Sequence, residues 1–178
     1  MHTEVVVLNG GSSAGKSTIA GCLQSLLDDT WLTLGVDDLI VAMGSVVEET
    51  DSAIVFNSDG TVVTDQRFRK VEDSWYQGLA AMARAGTGII IVDAFLGGAS
   101  SQSRLDTALS GLKVLWVGVH CDADVASKRE SKRPDRVQGM AKAQSVLVHE
   151  GVRYDIEVDT SSRGASDCAR TIRDSMVR

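Results

Sequence analysis

The chain has 178 residues, of which 43% are hydrophobic and 24% charged, and its formal net charge is −6. This length fits one globular domain with a substantial core, and no apolar run approaches the roughly 20 residues of a membrane helix. The acidic balance does not favour nucleic-acid binding, and the three cysteines are too widely spaced for a zinc ribbon or a disulfide framework. We therefore expect a cytoplasmic protein with neither a nucleic-acid nor a membrane partner.

Strand and helix patterns alternate along the chain. Apolar or alternating segments predict five strands, at 5–8, 31–36, 88–93, 112–119 and 154–160. Apolar residues at helical spacing predict helices at 19–27, 68–82, 137–148 and 169–176. Continuous β-branched runs indicate strands buried on both faces, as in parallel sheets. The pattern predicts a single three-layer α/β domain over 1–178, with a five-stranded parallel sheet and right-handed crossovers.

The segment 44–64 interrupts this alternation. It contains two β-branched runs separated by Ser-Asp-Gly at 58–60, which is typical of a hairpin turn. We interpret it as an inserted loop or small hairpin near the substrate pocket. Apolar residues in and before it could line that pocket or form a small core beneath the hairpin, and the sequence leaves both open. They are Ile40, Val41, Met43, Val46, Val47, Ile54, Val55 and Phe56.

The stretch GGSSAGKS at 10–17 fits the phosphate-binding pattern G-x-x-x-x-G-K-[ST] and lies between a predicted strand and a predicted helix. Its glycines let backbone N–H groups point at phosphate oxygens, and the following helix adds the positive end of its dipole. In this pattern Lys16 reaches the β- and γ-phosphates, and the Ser17 hydroxyl holds Mg²⁺. The predicted fold is therefore of the P-loop NTPase or nucleotide-kinase type, with ATP and Mg²⁺ as cofactors. The predicted nucleotide-binding residues are Gly10, Gly11, Ser12, Ser13, Ala14, Gly15, Lys16, Ser17 and Thr18.

The loop alone does not separate kinases from GTPases. The sequence contains no N-K-x-D guanine-reading motif, and DAFLGG stands after the third predicted strand where a GTPase carries D-x-x-G. Together with the short chain and a late arginine-rich segment, this favours a small-molecule kinase.

Two carboxylates, Asp37 and Asp38, follow the second predicted strand. Ligands of open parallel sheets bind beyond the carboxyl ends of strands, where a carboxylate can accept the proton of an attacking hydroxyl. One of the pair would face the site, while the other would cap a helix starting near Leu39. The alternative is that both only favour the start of that helix through its dipole.

Asp93 ends the apolar run GIIIVD, a pattern typical of a Walker B carboxylate. Such an acid binds Mg²⁺ directly or through water, so Asp93 joins Ser17 as a predicted metal ligand. The FLGGAS sequence after it is expected to line the site with flexible backbone. The segment HCDAD at 120–124 also offers metal-ligand types, but its place between a strand and a helix favours helix capping.

The segment 128–149 begins with a basic cluster around the only proline, Pro134. Most charge runs are solvated helix faces, yet phosphoryl transfer needs cations that close over the γ-phosphate. We interpret 128–149 as a lid, with Arg133 and Arg136 as catalytic cations beside a hinge.

Over nearly its whole length the chain resembles the chloramphenicol phosphotransferases, most closely in LNGGSSAGKS, GVDDLI, FLGGA, VLWVGVHCD, RVQGMA and VHEGVRYDIEVDT. The resemblance implies transfer of the ATP γ-phosphate to the primary hydroxyl of chloramphenicol, with Asp37 as the catalytic base. It also implies a five-stranded parallel sheet flanked by helices. Two features depart from the family pattern. The third strand ends in Val92-Asp93 where the family has two acids, and 44–70 matches less well.

The acceptor therefore stays open between chloramphenicol and another small hydroxylated antibiotic or metabolite. A third interpretation is a nucleotide-binding regulator that transfers no phosphate. A base at the acceptor position, as implied for Asp37, argues against that interpretation.

Overall fold

The computed structural model describes residues 2–44, 52–133 and 137–176. The strands are β1 (Val5–Asn9), β2 (Trp31–Gly35), β3 (Ile54–Phe56), β4 (Val62–Thr64), β5 (Gly88–Asp93), β6 (Val114–His120) and β7 (Ile156–Asp159). The helices are α1 (Lys16–Gln24), α2 (Val36–Met43), α3 (Gln66–Arg84), α4 (Ala99–Ala108), α5 (Ala123–Glu130), α6 (Met140–Leu147) and α7 (Ala165–Ser175).

Five strands form one parallel sheet in the order β2-β5-β1-β6-β7. The register aligns Asn9 with Asp93 on one side and with Gly118 on the other, while Gly35 is level with Val92. The carboxyl ends of β1, β2 and β5 therefore lie together at one edge, where an open parallel sheet binds its ligands. The predicted α/β fold with a five-stranded parallel sheet is confirmed.

The central strand β1 is buried on both faces, which explains its uninterrupted apolar sequence. On one face Val6 and Leu8 pack in a core with residues of α1 and α7. On the other face Val5 and Val7 pack with residues of α3 and α4. The sheet is thus the middle of three layers, and its position fixes the strand ends from which the site is built.

A third, smaller core lies between α2, α3 and the antiparallel hairpin β3–β4. Its buried members are Leu39, Ala53, Ile54 and Phe68, and Ile40, Met43 and Phe56 pack against them. By contrast, Val41 and Val55 are 79% and 44% exposed. Of the apolar residues at 40–56 that could line a pocket or form a core, most of those described therefore belong to this core. Val46 and Val47 lie outside the described residues.

Local differences from the sequence prediction have simple causes. Helix α2 begins at Val36 instead of near Leu39, because Gly35 is already the N-cap. Helix α4 was not predicted, since its sequence, ASSQSRLDTA, carries few large apolar residues to mark a helical face. FLGGAS forms a short turn that leads into α4, and its lining of the site stays a prediction. In the described part of the chain, no helix has both the length and the apolarity needed to cross a membrane.

Candidate active site

The loop between β1 and α1 is tightly curled. A Cβ atom on Gly10 would lie 2.4 Å from the Val119 carbonyl oxygen, so only glycine fits there. Gly15 has φ +88°, and Ser13 has φ +58°, a conformation uncommon for any residue but glycine. Strained backbone of this kind persists where the surrounding structure enforces it, which is characteristic of functional sites.

Lys16, the first residue of α1, folds back against this loop. Its Nζ donates hydrogen bonds of 2.6 Å to the Gly10 carbonyl and 2.8 Å to the Gly11 carbonyl. The ammonium is therefore held at the loop whose N–H groups would contact a phosphate. Ser17 and Thr18 follow in the first turn of α1, and both are exposed.

Asp93, at the end of β5, is only 3% exposed. Its Oδ1 accepts from the Ala94 N–H at 2.7 Å, and its Oδ2 accepts from the Tyr76 hydroxyl at 3.1 Å. Burial, reinforced by the negative charge of Glu72, raises the pKa of Asp93 to about 7. Burial likewise raises the pKa of Tyr76 well above its usual range, so the phenol stays a donor to this carboxylate.

Behind Asp93, Arg104 of α4 connects α4 to α3. Its guanidinium bonds Glu72 at 2.6 Å and Asp73 at 2.6 Å, and it lies 5.8 Å from the Tyr76 ring centroid. Burial raises the pKa of Glu72, against the opposing effect of the Arg104 charge. This network holds Tyr76 in place and therefore orients the Asp93 carboxylate.

The oxygen donors at this edge of the sheet are of the type that Mg²⁺ prefers. Mg²⁺ keeps several waters and is usually held by one or two protein groups plus substrate phosphates, not by a full protein cage. The buried Asp93 carboxylate and the accessible Ser17 hydroxyl fit that mode. Among residues 2–44, 52–133 and 137–176, no group of three or more His, Cys, Asp and Glu could hold a metal alone.

Asp37 and Asp38 occupy the first turn of α2, just past the end of β2. Asp38 Oδ2 accepts the Gly35 N–H at 2.7 Å, which closes the start of the helix as a capping residue does. Asp37 is exposed. Since β2 ends level with β5, Asp37 stands at the same edge of the sheet as the loop and Asp93.

The basic segment divides into separate parts. Arg133 is exposed and follows α5 after Ser131 and Lys132, and Arg136 lies outside the described residues. Arg129 donates to the Thr160 carbonyl at 2.7 Å and to the Thr160 hydroxyl at 3.2 Å, beside Gly15 of the loop. The segment therefore includes one arginine bonded to Thr160 beside the loop and one at the surface. Asp122 caps α5 by accepting from the Asp124 and Val125 N–H groups, as expected for HCDAD.

Three polar residues that sequence reasoning missed also touch this region. Gln144 of α6 accepts the Ser12 N–H at 2.9 Å. Glu130 is 1% exposed and accepts from the Gly139 and Ala141 N–H groups at 2.7 and 2.8 Å. Asn9 accepts the Phe95 N–H and donates to the Val148 carbonyl. The bonds of Gln144 and Asn9 join distant parts of the sequence, and those of Glu130 join two separate helices, so no local pattern could have marked these residues.

The parallel sheet, the glycine loop and the carboxylates at one sheet edge define a P-loop phosphotransferase. The family model of chloramphenicol phosphotransferase-like proteins matches residues 3–177, and the chain belongs to that family. A relative from Mycobacterium tuberculosis, "Putative O-phosphotransferase Rv2636", is 29% identical over 189 residues. That match covers 97% of this chain and 81% of the relative.

Solved structures share the fold. A sugar kinase from Janibacter sp. superposes with a TM-score of 0.69 at 20% identity, covering 97% of this chain and 95% of that one. The Mycobacterium tuberculosis APS kinase CysC, solved in complex with AMPPNP and APS, has a TM-score of 0.64 at 15% identity, covering 97% and 96%. At these identities the likeness concerns the fold, which is that of P-loop kinases.

Proposed function

We propose that the protein transfers the γ-phosphate of ATP to the primary hydroxyl of chloramphenicol, with Mg²⁺ as cofactor. The observation that carries the proposal is the position of Asp37, a carboxylate at the sheet edge that also holds the phosphate-binding loop, in a member of this family. Antibiotic resistance would be the biological consequence of modifying the drug.

In the proposed reaction, Asp37 accepts the proton of the drug's primary hydroxyl as that oxygen attacks the γ-phosphorus. The bond between the γ-phosphorus and the β,γ-bridging oxygen breaks, and ADP leaves with those electrons. Lys16 and the N–H groups of the 10–17 loop other than that of Ser12 bind the phosphates, and Arg133 and Arg136 offset the charge that develops on the transferred group. A magnesium ion held by Asp93 and Ser17 would neutralise charge on the β- and γ-phosphates.

The surface beside Asp37 suits an acceptor with an apolar end. Val41 lies four residues after Asp37 in α2, hence on the same helical face, and is 79% exposed. Chloramphenicol combines a nitroaryl group with a compact diol, so an apolar side chain one turn from the base supports an aromatic acceptor.

The second candidate is a kinase of another small hydroxylated antibiotic or metabolite. The departure of segment 44–70 from the family pattern favours it, because that segment would contribute to the acceptor pocket. A regulator without phosphoryl transfer has less support, since such a protein has no use for a base at the position of Asp37.

The test is incubation of the purified protein with ATP, Mg²⁺ and chloramphenicol, followed by mass spectrometry. We expect a chloramphenicol monophosphate, no product from the Lys16→Ala variant, and binding without reaction for an analogue that lacks the primary hydroxyl. Unmodified chloramphenicol alongside phosphorylation of another alcohol would support the second candidate. Failure to phosphorylate any alcohol would contradict both.

A further inference from the structure

Gln144 of α6 is buried against the phosphate-binding loop, although the two are far apart in sequence. It is 4% exposed, and its Oε1 accepts the Ser12 N–H at 2.9 Å across 132 positions of sequence. A Cβ atom on Gly11 would lie 3.4 Å from the Gln144 Cβ, which is van der Waals contact, so the loop and α6 pack directly against each other here.

Helix α6 is fixed at both ends, so Gln144 is a stable part of the loop's surroundings. At its start, the buried Glu130 carboxylate accepts the Gly139 and Ala141 N–H groups. At its end, the Val148 carbonyl accepts from the Asn9 side chain at 2.7 Å, immediately before the loop. Both ends of the helix are therefore held to elements that border the loop.

The Gly11–Ser12 peptide group is held from both directions. Lys16 donates to its carbonyl at 2.8 Å, and Gln144 accepts from its N–H at 2.9 Å. In such loops the N–H groups point into the phosphate-binding concavity. The Gln144 carboxamide therefore lies at that concavity, close to where Lys16 would meet the β- and γ-phosphates.

The orientation of the carboxamide leaves a donor for a ligand. Because Ser12 contributes an N–H, the oxygen of the Gln144 side chain must face it, and the NH₂ group points elsewhere. Within the described ranges, this Nε2 makes no hydrogen bond and is not fully enclosed by protein, while the buried Ser12 and Ser13 hydroxyl oxygens have no partner. Buried polar groups are nearly always paired, so the two unpaired serine hydroxyls at this loop indicate a polar ligand there.

We propose that Gln144 is a catalytic residue that donates from Nε2 to the terminal phosphate of the nucleotide while its Oε1 holds the Ser12 N–H. This inference rests on the proposed phosphotransferase function and adds to it a neutral donor that binds the group being transferred. A neutral amide suits this position because its oxygen and its nitrogen serve two different partners.

The Gln144→Glu variant separates the two halves of this role. Glutamate keeps an oxygen for the Ser12 N–H but replaces the donor with negative charge, which repels a terminal phosphate. We expect the affinity for the non-hydrolysable ATP analogue AMPPNP to fall about 30-fold or more, and the affinity for ADP to change less than about threefold. The turnover of any phosphorylated alcohol should fall about 100-fold, as when one transition-state donor is lost.

Isothermal titration calorimetry with Mg²⁺ gives the dissociation constants of AMPPNP and ADP, and their ratio decides the question. Gln77→Glu, which adds the same charge at an exposed position of α3, should leave the ratio unchanged. Gln144→Met, which keeps the size but makes neither bond, should also lose AMPPNP selectivity and replaces Gln144→Glu if that variant unfolds. If the ratio of AMPPNP to ADP affinity is unchanged, or both affinities fall equally, the proposal is overturned, because Gln144 would then only stabilise the loop. Because these measurements need no acceptor, they stand even if no alcohol is phosphorylated, which would refute only the proposed function.

Discussion

Asp37 and Asp38 are adjacent carboxylates with different surroundings. Both are exposed, but Asp38 accepts the Gly35 N–H and so closes the start of α2, while Asp37 lies at the sheet edge that carries the loop. The hydrogen bond assigns Asp38 a structural role that the sequence had left open between the two residues. The catalytic role of Asp37 stays a prediction, and paired variants test it.

For Asp37→Asn we expect phosphoryl transfer to fall about 10²- to 10⁴-fold, the usual loss when a general base is removed. Nucleotide affinity should change little, because the carboxylate is proposed to face the acceptor. Steady-state kinetics and nucleotide titration measure the two quantities. Asp38→Asn is the matched control and should cost about 1 kcal/mol of unfolding free energy while keeping most activity. Equal activity of Asp37→Asn and wild type would remove the base from this position.

The charge that Asp93 needs for its proposed role as a Mg²⁺ ligand is expected to lower the stability of the folded protein. Its carboxylate is almost fully buried, and an ionised carboxylate is costly to bury. Asparagine has nearly the same shape, can accept the Ala94 N–H, and can donate to the Tyr76 oxygen.

We therefore expect Asp93→Asn to unfold at a temperature equal to or above that of the wild type at pH 8 without Mg²⁺. The same variant should lose phosphoryl transfer and Mg²⁺ activation, because a neutral amide is a poor magnesium ligand. Thermal unfolding and activity at several Mg²⁺ concentrations give both values. A large drop in unfolding temperature with activity retained would mean that Asp93 is a structural residue.

At the scale of elements, α6 is the helix on which the inferred site depends. Glu130, the last residue of α5, accepts two backbone N–H groups at the start of α6, where negative charge is also favoured by the helix dipole. The hairpin also reaches this point, because a Cβ atom on Gly60 would lie within 2.4 Å of Gly139 backbone atoms. Three elements thus meet at the start of α6.

We expect Glu130→Ala to cost about 1–3 kcal/mol of unfolding free energy, since it leaves the buried Ala141 N–H and the partly buried Gly139 N–H without this partner. Turnover should fall as well, because α6 carries Gln144. Denaturant unfolding and kinetics report the two effects. The control is Glu150→Ala, which replaces an exposed glutamate just after α6 and should change neither stability nor turnover. Wild-type stability in Glu130→Ala would show that these hydrogen bonds contribute little.

At the scale of the whole molecule, a polar cluster connects β1, the end of α6 and the segment before β7. Asn9 donates to the Tyr154 hydroxyl at 2.6 Å, and that hydroxyl lies 2.6 Å from His149 Nδ1. Because the Asn9 amide is a donor, the Tyr154 hydroxyl donates in turn to a neutral His149. The His149 ring also stacks on His120, with centroids 4.1 Å apart. Burial, with a smaller effect of His120, lowers the pKa of His149 from 6.5 to about 4.

This cluster predicts a loss of stability on acidification. Between pH 6.5 and about 4 the unfolded chain binds a proton at His149 that the folded protein does not, so stability falls as pH falls through this window. Above pH 6.5 His149 is neutral in both the folded and the unfolded protein, so none of this stability is lost there. Glu157 acts in the opposite direction, since its charge raises the pKa of His149, and nearby Lys16 lowers it further.

Urea unfolding at pH values from 4 to 7 tests this expectation. His149→Gln should flatten the pH dependence of the unfolding free energy, whereas His2→Gln, at an exposed position, should leave it as in the wild type. An equally steep decline in His149→Gln would assign the acid sensitivity to other groups.

Much of the fold could be predicted because its signals are local. The buried strands β1 and β5 are continuous apolar runs, and the phosphate loop is a glycine pattern between a strand and a helix, so each is complete within a few residues. Helix α4 escaped prediction because it buries few large side chains and so has only a weak pattern.

What the sequence determined by itself is the class of fold and the loop, since backbone conformation there follows from residue type within one segment. Only the tertiary structure decided which polar groups meet that loop. Gln144 and Ser12 are 132 positions apart, Glu130 and Ala141 belong to different helices, and Asn9 bonds Val148 across 139 positions. Such pairs depend on strand order and helix packing, which bring distant segments together by burying apolar faces, so the polar residues that come to face each other carry no local signature.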